Sequence, residues 1–254
     1  MLDGERRNNL CQREDLEMSL KYKGEKVLIL GGSSDIGLAA AKELSGRGLK
    51  VFSSYYSNKA KIKAGPGKVK PVYLDLGDVR TFSGVKAESY DYLVDLAHTD
   101  RESLVSSAAD GEIDDYFRTN VINRTILLKE ISRKMLLRRS GRMVYVSSAA
   151  LNLPSEGQGF YVSSKSAVEG IYRQLGLELV KKGITTVCLR YSFLDGGRGK
   201  RFLQKPYLPP LTPEEAAGQL AYFLSDGSRS INATSITIDQ GVPSYKRKNR
   251  GRSQ

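Results

Sequence analysis

Residues 26–48 read KVLILGGSSDIGLAAAKELSGRG, and this stretch decides the fold. KVLIL is an apolar run of strand length that stops at Gly31. DIGLAAAKELSGRG carries an apolar face at helical spacing and closes on glycine. The loop between them, GGSSDIG, has the form G-x-x-x-D-x-G rather than G-x-G-x-x-G. Gly31 permits a tight turn and Gly37 lets helix and strand approach, while Ser33 and Ser34 bring hydroxyls. The first helical turn, with Asp35 and Ile36, offers backbone amides and the positive end of a helix dipole, which suits a pyrophosphate. Asp35 favours that dipole but repels a phosphate, so its side chain is expected to turn away. A turn that only joins a strand to a helix is the plainer alternative. The order strand, glycine loop, helix favours a dinucleotide site.

The same alternation continues along the chain. KVFSSYY, KPVYLDL, DYLVDLA, RMVYVSS, ITTVCLRY and SITID read as six further strands. Helical patterns cover about 112–138 and 160–182. A last helix opens on Thr212 as cap with Pro213 in its first turn. Apolar, β-branched strands alternating with helices imply a Rossmann-type, doubly wound α/β fold: a mostly parallel seven-stranded sheet covered on both faces. The expected organisation is an N-terminal extension over 1–24, one domain over 25–243 and a basic tail over 244–254. Ligands of such sheets bind beyond the carboxyl ends of the strands. Gly31, Ser53, Asp75, Asp95, Ser148 and Tyr191 fall at predicted strand ends and so on one rim.

Composition narrows the class. With 254 residues, 40% of them hydrophobic, the chain can bury a core, and it contains no apolar run of membrane-spanning length. The first residues mix both charge signs and lack the apolar core of a signal peptide. The two cysteines, Cys11 and Cys188, have neither metal nor redox spacing; Cys188 reads as a buried free thiol, and a cytoplasmic setting is expected. No metal site is expected. Five of the net +12 charges lie in the tail KRKNRGRSQ, which reads as a solvated end without the aromatic interleaving of a nucleic-acid reader. A glycine cluster at 196–200, GGRGK, lacks the upstream glycine and the Ser or Thr of a phosphate loop.

Tyr-x-x-x-Lys occurs three times, at Tyr22/Lys26, Tyr55/Lys59 and Tyr161/Lys165. Only the third follows a strand-end serine, Ser148, and begins a helix, where residues four apart share a face. Carbonyl reduction needs hydride at carbon and a proton at oxygen. A free phenol, with a pKa near 10, is a poor acid or base at neutral pH. An adjacent ammonium stabilises the phenolate and lowers that value.

With these residues in one frame, the chain resembles the short-chain dehydrogenases/reductases over roughly residues 24 to 242. Asp75 and Leu76 fall at that family's adenine-contacting positions, and Asn120 in YFRTNVIN falls at its catalytic asparagine. Asp95-Leu96-Ala97-His98 stands where Asn-Asn-Ala-Gly is usual, with Ala97 beside the cofactor and His98, the sole histidine, in a glycine position. Asp35 replaces a glycine, and Tyr191-Ser192 replaces Pro-Gly. The resemblance implies that Tyr161 is the general acid and that Lys165 also bonds the nicotinamide ribose. It implies that Ser148 bonds the substrate oxygen and that Asn120 holds a water relaying protons to Lys165. After the second strand, Tyr55, Tyr56, Ser57 and Asn58 include no acid to hold a ribose 2′-hydroxyl, and Lys59 is near, so NADPH is expected over NADH.

Within the family the chain is similar to the 3-oxoacyl-acyl-carrier-protein reductases. Arg139 and Lys182 occupy positions at which those enzymes dock an acidic carrier, although Lys182 equally suits a helix C-terminus. The expected reaction is reduction of a 3-oxoacyl group on a carrier protein or CoA. Another alcohol, sugar or ketone is the first alternative. A regulatory or nucleic-acid-binding protein retaining the fold is the second. The segment 193–210, FLDGGRGKRFLQKPYLPP, is short and basic for a substrate cover. Dimers or tetramers through the two long helices are implied by the resemblance.

Overall fold

β1 (Lys26–Leu30) is buried on both faces because its side chains alternate between two cores. Val27 and Ile29 pack on one side of the sheet, Leu28 and Leu30 on the other. The computed structural model describes residues 20–63, 69–101, 103–192, 194–195 and 210–240. Among these, seven strands form one parallel sheet: β2 (Lys50–Tyr55), β3 (Val69–Tyr73), β4 (Tyr92–Asp95), β5 (Gly141–Ser148), β6 (Ile184–Tyr191) and β7 (Thr234–Ile238) join β1 in the order β3-β2-β1-β4-β5-β6-β7. The order reverses at β1, which opens a crevice between the ends of β1 and β4. The expected single-domain, doubly wound fold is the one observed.

Helix α1 (Asp35–Gly46) follows the glycine loop, and short α2 (Lys59–Lys63) and α3 (Phe82–Lys86) flank β3; neither short helix stands out in the sequence pattern. α1 buries Ala40, Ala41 and Leu44 in the core it shares with Leu220 and Phe223 of α7 (Pro213–Leu224). α7 starts where expected: Thr212 Oγ1 accepts from Glu215 N at 3.2 Å, and the Glu215 carboxylate accepts from Thr212 N at 2.8 Å. The other face carries α5 (Arg124–Arg138) and α6 (Gly159–Leu179), whose Leu127, Ile131, Val168 and Tyr172 pack against Leu93, Met143 and Tyr145.

The helix read over 112–138 begins as α4 (Asp110–Phe117) and runs into α5 through a π-helical turn, Arg118–Asn123. Such a turn widens the helix locally and often marks a functional position; here it contains Asn120. The first strand pair is stitched at the glycine loop: Gly31 N donates to Ser54 Oγ and Gly32 N donates to Ser54 O, both at 2.9 Å. Ser54, rather than the neighbouring Ser53, makes these bonds.

Helix and loop meet at Gly37, where an added Cβ would lie 2.6 Å from Gly32 Cα and 2.7 Å from Gly31 O. Both obstacles are backbone. Gly37→Ala is therefore expected to cost about 1–3 kcal/mol of stability in chemical denaturation.

Candidate active site

The glycine loop is held from three sides. Gly31 has φ +77°, a conformation that favours glycine, and a Cβ there would stand 2.8 Å from Ala97 N. Ser34 Oγ donates to Gly31 O at 2.8 Å and accepts from Gly37 N at 3.1 Å, capping α1. The first turn of this twelve-residue helix opens on the rim with Ser33 half-buried and Asp35 exposed. Close glycine backbone and a helix N-terminus fit a pyrophosphate, and the exposure of Asp35 lets its carboxylate face water.

Along the rim, the chain after β2 has no carboxylate through Asn58; the Lys59 ammonium lies 5.8 Å from the Tyr55 ring, whose edge contacts Tyr73. Asp75 folds onto its own turn, Oδ1 accepting from Gly77 N at 2.7 Å. Buried Leu76 is fixed through its carbonyl, which accepts from Asn123 Nδ2 at 2.8 Å. Ser57 is exposed beside this edge. The chain after β2 thus presents no acid of the kind that would hold a ribose 2′-hydroxyl.

At the other end of the crevice stand the expected proton-transfer residues. Ser148 is the last residue of β5, and its Oγ accepts from Ala150 N at 3.2 Å. Tyr161 and Lys165 lie one turn apart on α6. Lys165 is nearly buried; its Nζ donates to Val146 O at 2.9 Å and sits 5.9 Å from the Tyr161 ring centre and 5.0 Å from that of Tyr145. Asn120 has no exposed surface, and its amide is committed. Oδ1 accepts from Thr99 N at 2.9 Å, while Nδ2 donates to Thr99 O at 3.0 Å and to Tyr116 O at 3.2 Å. Its main-chain carbonyl accepts from Arg124 Nε at 2.9 Å.

Arg124 is a site residue that sequence reasoning missed. Fully buried, it donates to the Asp95 carboxylate and to Ala97 O as well as to Asn120 O. Tyr172 donates to the second Asp95 oxygen at 2.9 Å and stacks on Tyr145 with 4.9 Å between ring centres. Burial alone would pull the Arg124 pKa down, but the adjacent Asp95 carboxylate outweighs it and the guanidinium is held more firmly protonated. Burial drives both the Tyr145 and Tyr172 hydroxyls well above the ordinary phenol range, so neither ionises. The available signal was an arginine on the buried stripe that includes Asn120, Leu127 and Ile131, with an acid at the end of β4.

A second ion pair, between half-buried Arg190 of β6 and buried Glu169 of α6, joins that helix to the sheet. Arg190 forks onto Glu169 at 2.8 and 2.7 Å and also donates to Asn152 Oδ1 at 2.7 Å. Burial would raise the Glu169 pKa, but Arg190 together with the Ser147 and Ser235 hydroxyls outweighs it, and the carboxylate is held below its usual range. Cys188 is the buried free thiol expected, pushed up to about 12 by burial.

The other Tyr-x-x-x-Lys pairs go elsewhere: Tyr22 donates to Ala221 O, Lys26 pairs with Glu88, and Lys59 lies against the Tyr55 ring at the end of β2. Arg139 and Lys182 are exposed and close together, since a Cβ on Gly183 would lie 2.4 Å from Arg139 O. They precede β5 and β6, at the opposite end of the sheet from Ser148, and α6 places roughly 30 Å of helix between Tyr161 and Lys182. The stretch 196–209, the tail 244–254 and residues 1–19 of the extension lie outside the described residues. Among the described residues there is no cluster of three or more His, Cys, Asp or Glu arranged for a metal, and no helix long and apolar enough to cross a membrane.

Residues 25–198 match the family model for short chain dehydrogenases. A 3-oxoacyl-acyl-carrier-protein reductase of Salmonella typhimurium is 26% identical over 241 residues, covering 88% of this chain and 99% of that one. Nodulation protein G of Rhizobium meliloti is 26% identical over 245 residues, covering 86% and 97%. A solved short chain dehydrogenase from Burkholderia cenocepacia superposes with a TM-score of 0.75 at 22% identity, covering 86% of this chain and 98% of that one. A solved short chain dehydrogenase/reductase family protein reaches 0.81 at 22% identity, covering 89% and 100%. The chain belongs to the short chain dehydrogenase family.

The Asp95–Arg124 pair generates a stability test. Arg124→Met leaves a buried carboxylate unpaired and should cost about 3–5 kcal/mol in chemical denaturation, whereas Asp95→Leu with Arg124→Met should recover a large part of that loss.

Proposed function

We propose that this short chain dehydrogenase uses NADPH to reduce a ketone to a secondary alcohol, and that its substrate is a 3-oxoacyl group on acyl carrier protein or CoA. What supports the reaction is that Ser148 ends β5 while Tyr161 and nearly buried Lys165 lie one turn apart on α6, the Lys165 ammonium 5.9 Å from the Tyr161 ring, with the glycine loop following β1 in the same parallel sheet. Nicotinamide, when bound, supplies the hydride. Ser148 donates a hydrogen bond to the carbonyl oxygen and Tyr161 gives it the phenolic proton. The Lys165 ammonium, 5.9 Å from the Tyr161 ring, favours the phenolate left behind, and a solvent proton restores the phenol. Asn120, with its amide spent on Thr99 and Tyr116, holds the loop after β4 against α4. The lack of an acid after β2, with Lys59 beside Tyr55, supports NADPH over NADH.

The carrier-bound substrate rests on the relatives' activity and on exposed Arg139 and Lys182. One observation favours a small free ketone, alcohol or sugar instead: both docking positions lie at the end of the sheet away from this protomer's Tyr161. A carrier held there would serve a neighbouring protomer's rim, in keeping with a dimer or tetramer.

Two measurements test this reading. Tyr161→Phe should lower NADPH oxidation with acetoacetyl-CoA by about 10²–10⁴-fold while NADPH still binds; full turnover would contradict the mechanism. Arg139→Glu should raise the KM for a carrier-bound 3-oxoacyl substrate several-fold and leave that for a small ketone unchanged; equal effects on both would count against carrier docking.

A further inference from the structure

His98 stands where the resembled family has glycine, and the fold turns that side chain toward the reacting tyrosine. Its ring meets the Tyr161 ring edge-on, with 5.1 Å between centres and an interplanar angle of 90°. His98 Nε2 and Tyr116 Oη share a hydrogen bond at 3.0 Å, and Asp100 Oδ1 lies 3.9 Å from the same nitrogen. Tyr116 Oη is in turn 3.2 Å from Ser164 Oγ, which donates to Tyr161 O at 3.0 Å. The histidine side chain is only 6% exposed, so these contacts hold it in one place.

The backbone beside it is fixed as well. Asn120 grips Thr99 through both its N–H and its C=O, and the same amide donates to Tyr116 O. One line of contacts therefore runs Asn120, Thr99, His98 to the Tyr161 ring, a second runs Asn120, Tyr116, Ser164 to Tyr161 O, and the His98–Tyr116 bond ties the two together. A glycine at 98 would remove both the ring contact with Tyr161 and the bond to Tyr116. Tyr116 also packs on Phe117 and Phe160, so the bracing rests on a buried aromatic floor.

We infer that His98 is a positioning residue for proton transfer: it braces the Tyr161 ring through ring contact and through Tyr116, and so links the asparagine to the tyrosine mechanically. This rests on Tyr161 being the proton donor. A tyrosine free to rock at its ring samples fewer productive geometries, so the bracing acts on kcat rather than on cofactor binding.

The test combines kinetics with a readout that needs no activity. His98→Gly should lower kcat about tenfold, the scale of a lost buried hydrogen bond with a ring contact, at unchanged Kd for NADPH. Tyr116→Phe, which removes one hydroxyl, should lower kcat in the same direction, and the double variant should fall little further. His98→Gln, which can still bond Tyr116, should recover part of the rate. Unchanged kcat in either single variant overturns the inference. Because His98 is the only histidine, its imidazole gives one set of ring resonances in the NMR spectrum. That signal should move in Tyr116→Phe and in Tyr161→Ala, and a signal unmoved in either overturns the contact. If the wild-type protein reduces no ketone, the reductase reading fails while the NMR arm still decides the bracing.

Discussion

The buried guanidinium of Arg124 is the constraint on which the site geometry depends. It joins three pieces of backbone that belong to different elements: the end of β4 through Asp95, the following loop through Ala97 O, and the π-helical turn through Asn120 O. A buried charge is tolerated only when paired and fully hydrogen-bonded, so these pieces cannot drift apart without stranding it. Ala97 also backs Gly31, where a Cβ would collide, so the same tie extends to the phosphate-side loop. Tyr172, stacked on Tyr145, supplies the last partner of Asp95 and carries the constraint to α6, which bears Tyr161 and Lys165.

This arrangement explains why Asp95 departs from the asparagine usual in the family. An amide there would leave Arg124 without a counter-charge, and an aliphatic residue at 124 would leave Asp95 alone. The two residues make sense only together. The same guanidinium also occupies the Asn120 main-chain carbonyl.

Much of the architecture was legible because it is written in periodicity. The two-sided burial of β1, the cap at Thr212 and the switch between β1 and β4 follow from apolar pattern and turn chemistry. Ser148, Tyr161 and Lys165 could be singled out because the proposed reaction would constrain their types and spacing. Arg124 was not: an arginine four residues after an asparagine reads as a surface residue until the partner on β4 is known. His98 was read as filling a glycine position, since a sequence does not say which way a loop side chain faces. Tyr116 and Ser164 carry no motif at all and matter only through distances of about 3 Å to atoms far along the chain.

The most direct measurement of the central claim is the fate of the hydride. Incubation of the protein with acetoacetyl-CoA and NADPH deuterated at C4 of the nicotinamide, followed by mass spectrometry of the thioester, reads it without ambiguity. The account predicts 3-hydroxybutyryl-CoA carrying deuterium on the carbinol carbon, formed far more slowly by Tyr161→Phe. Absence of labelled alcohol with this substrate and with a panel of free ketones, despite bound NADPH, would contradict it.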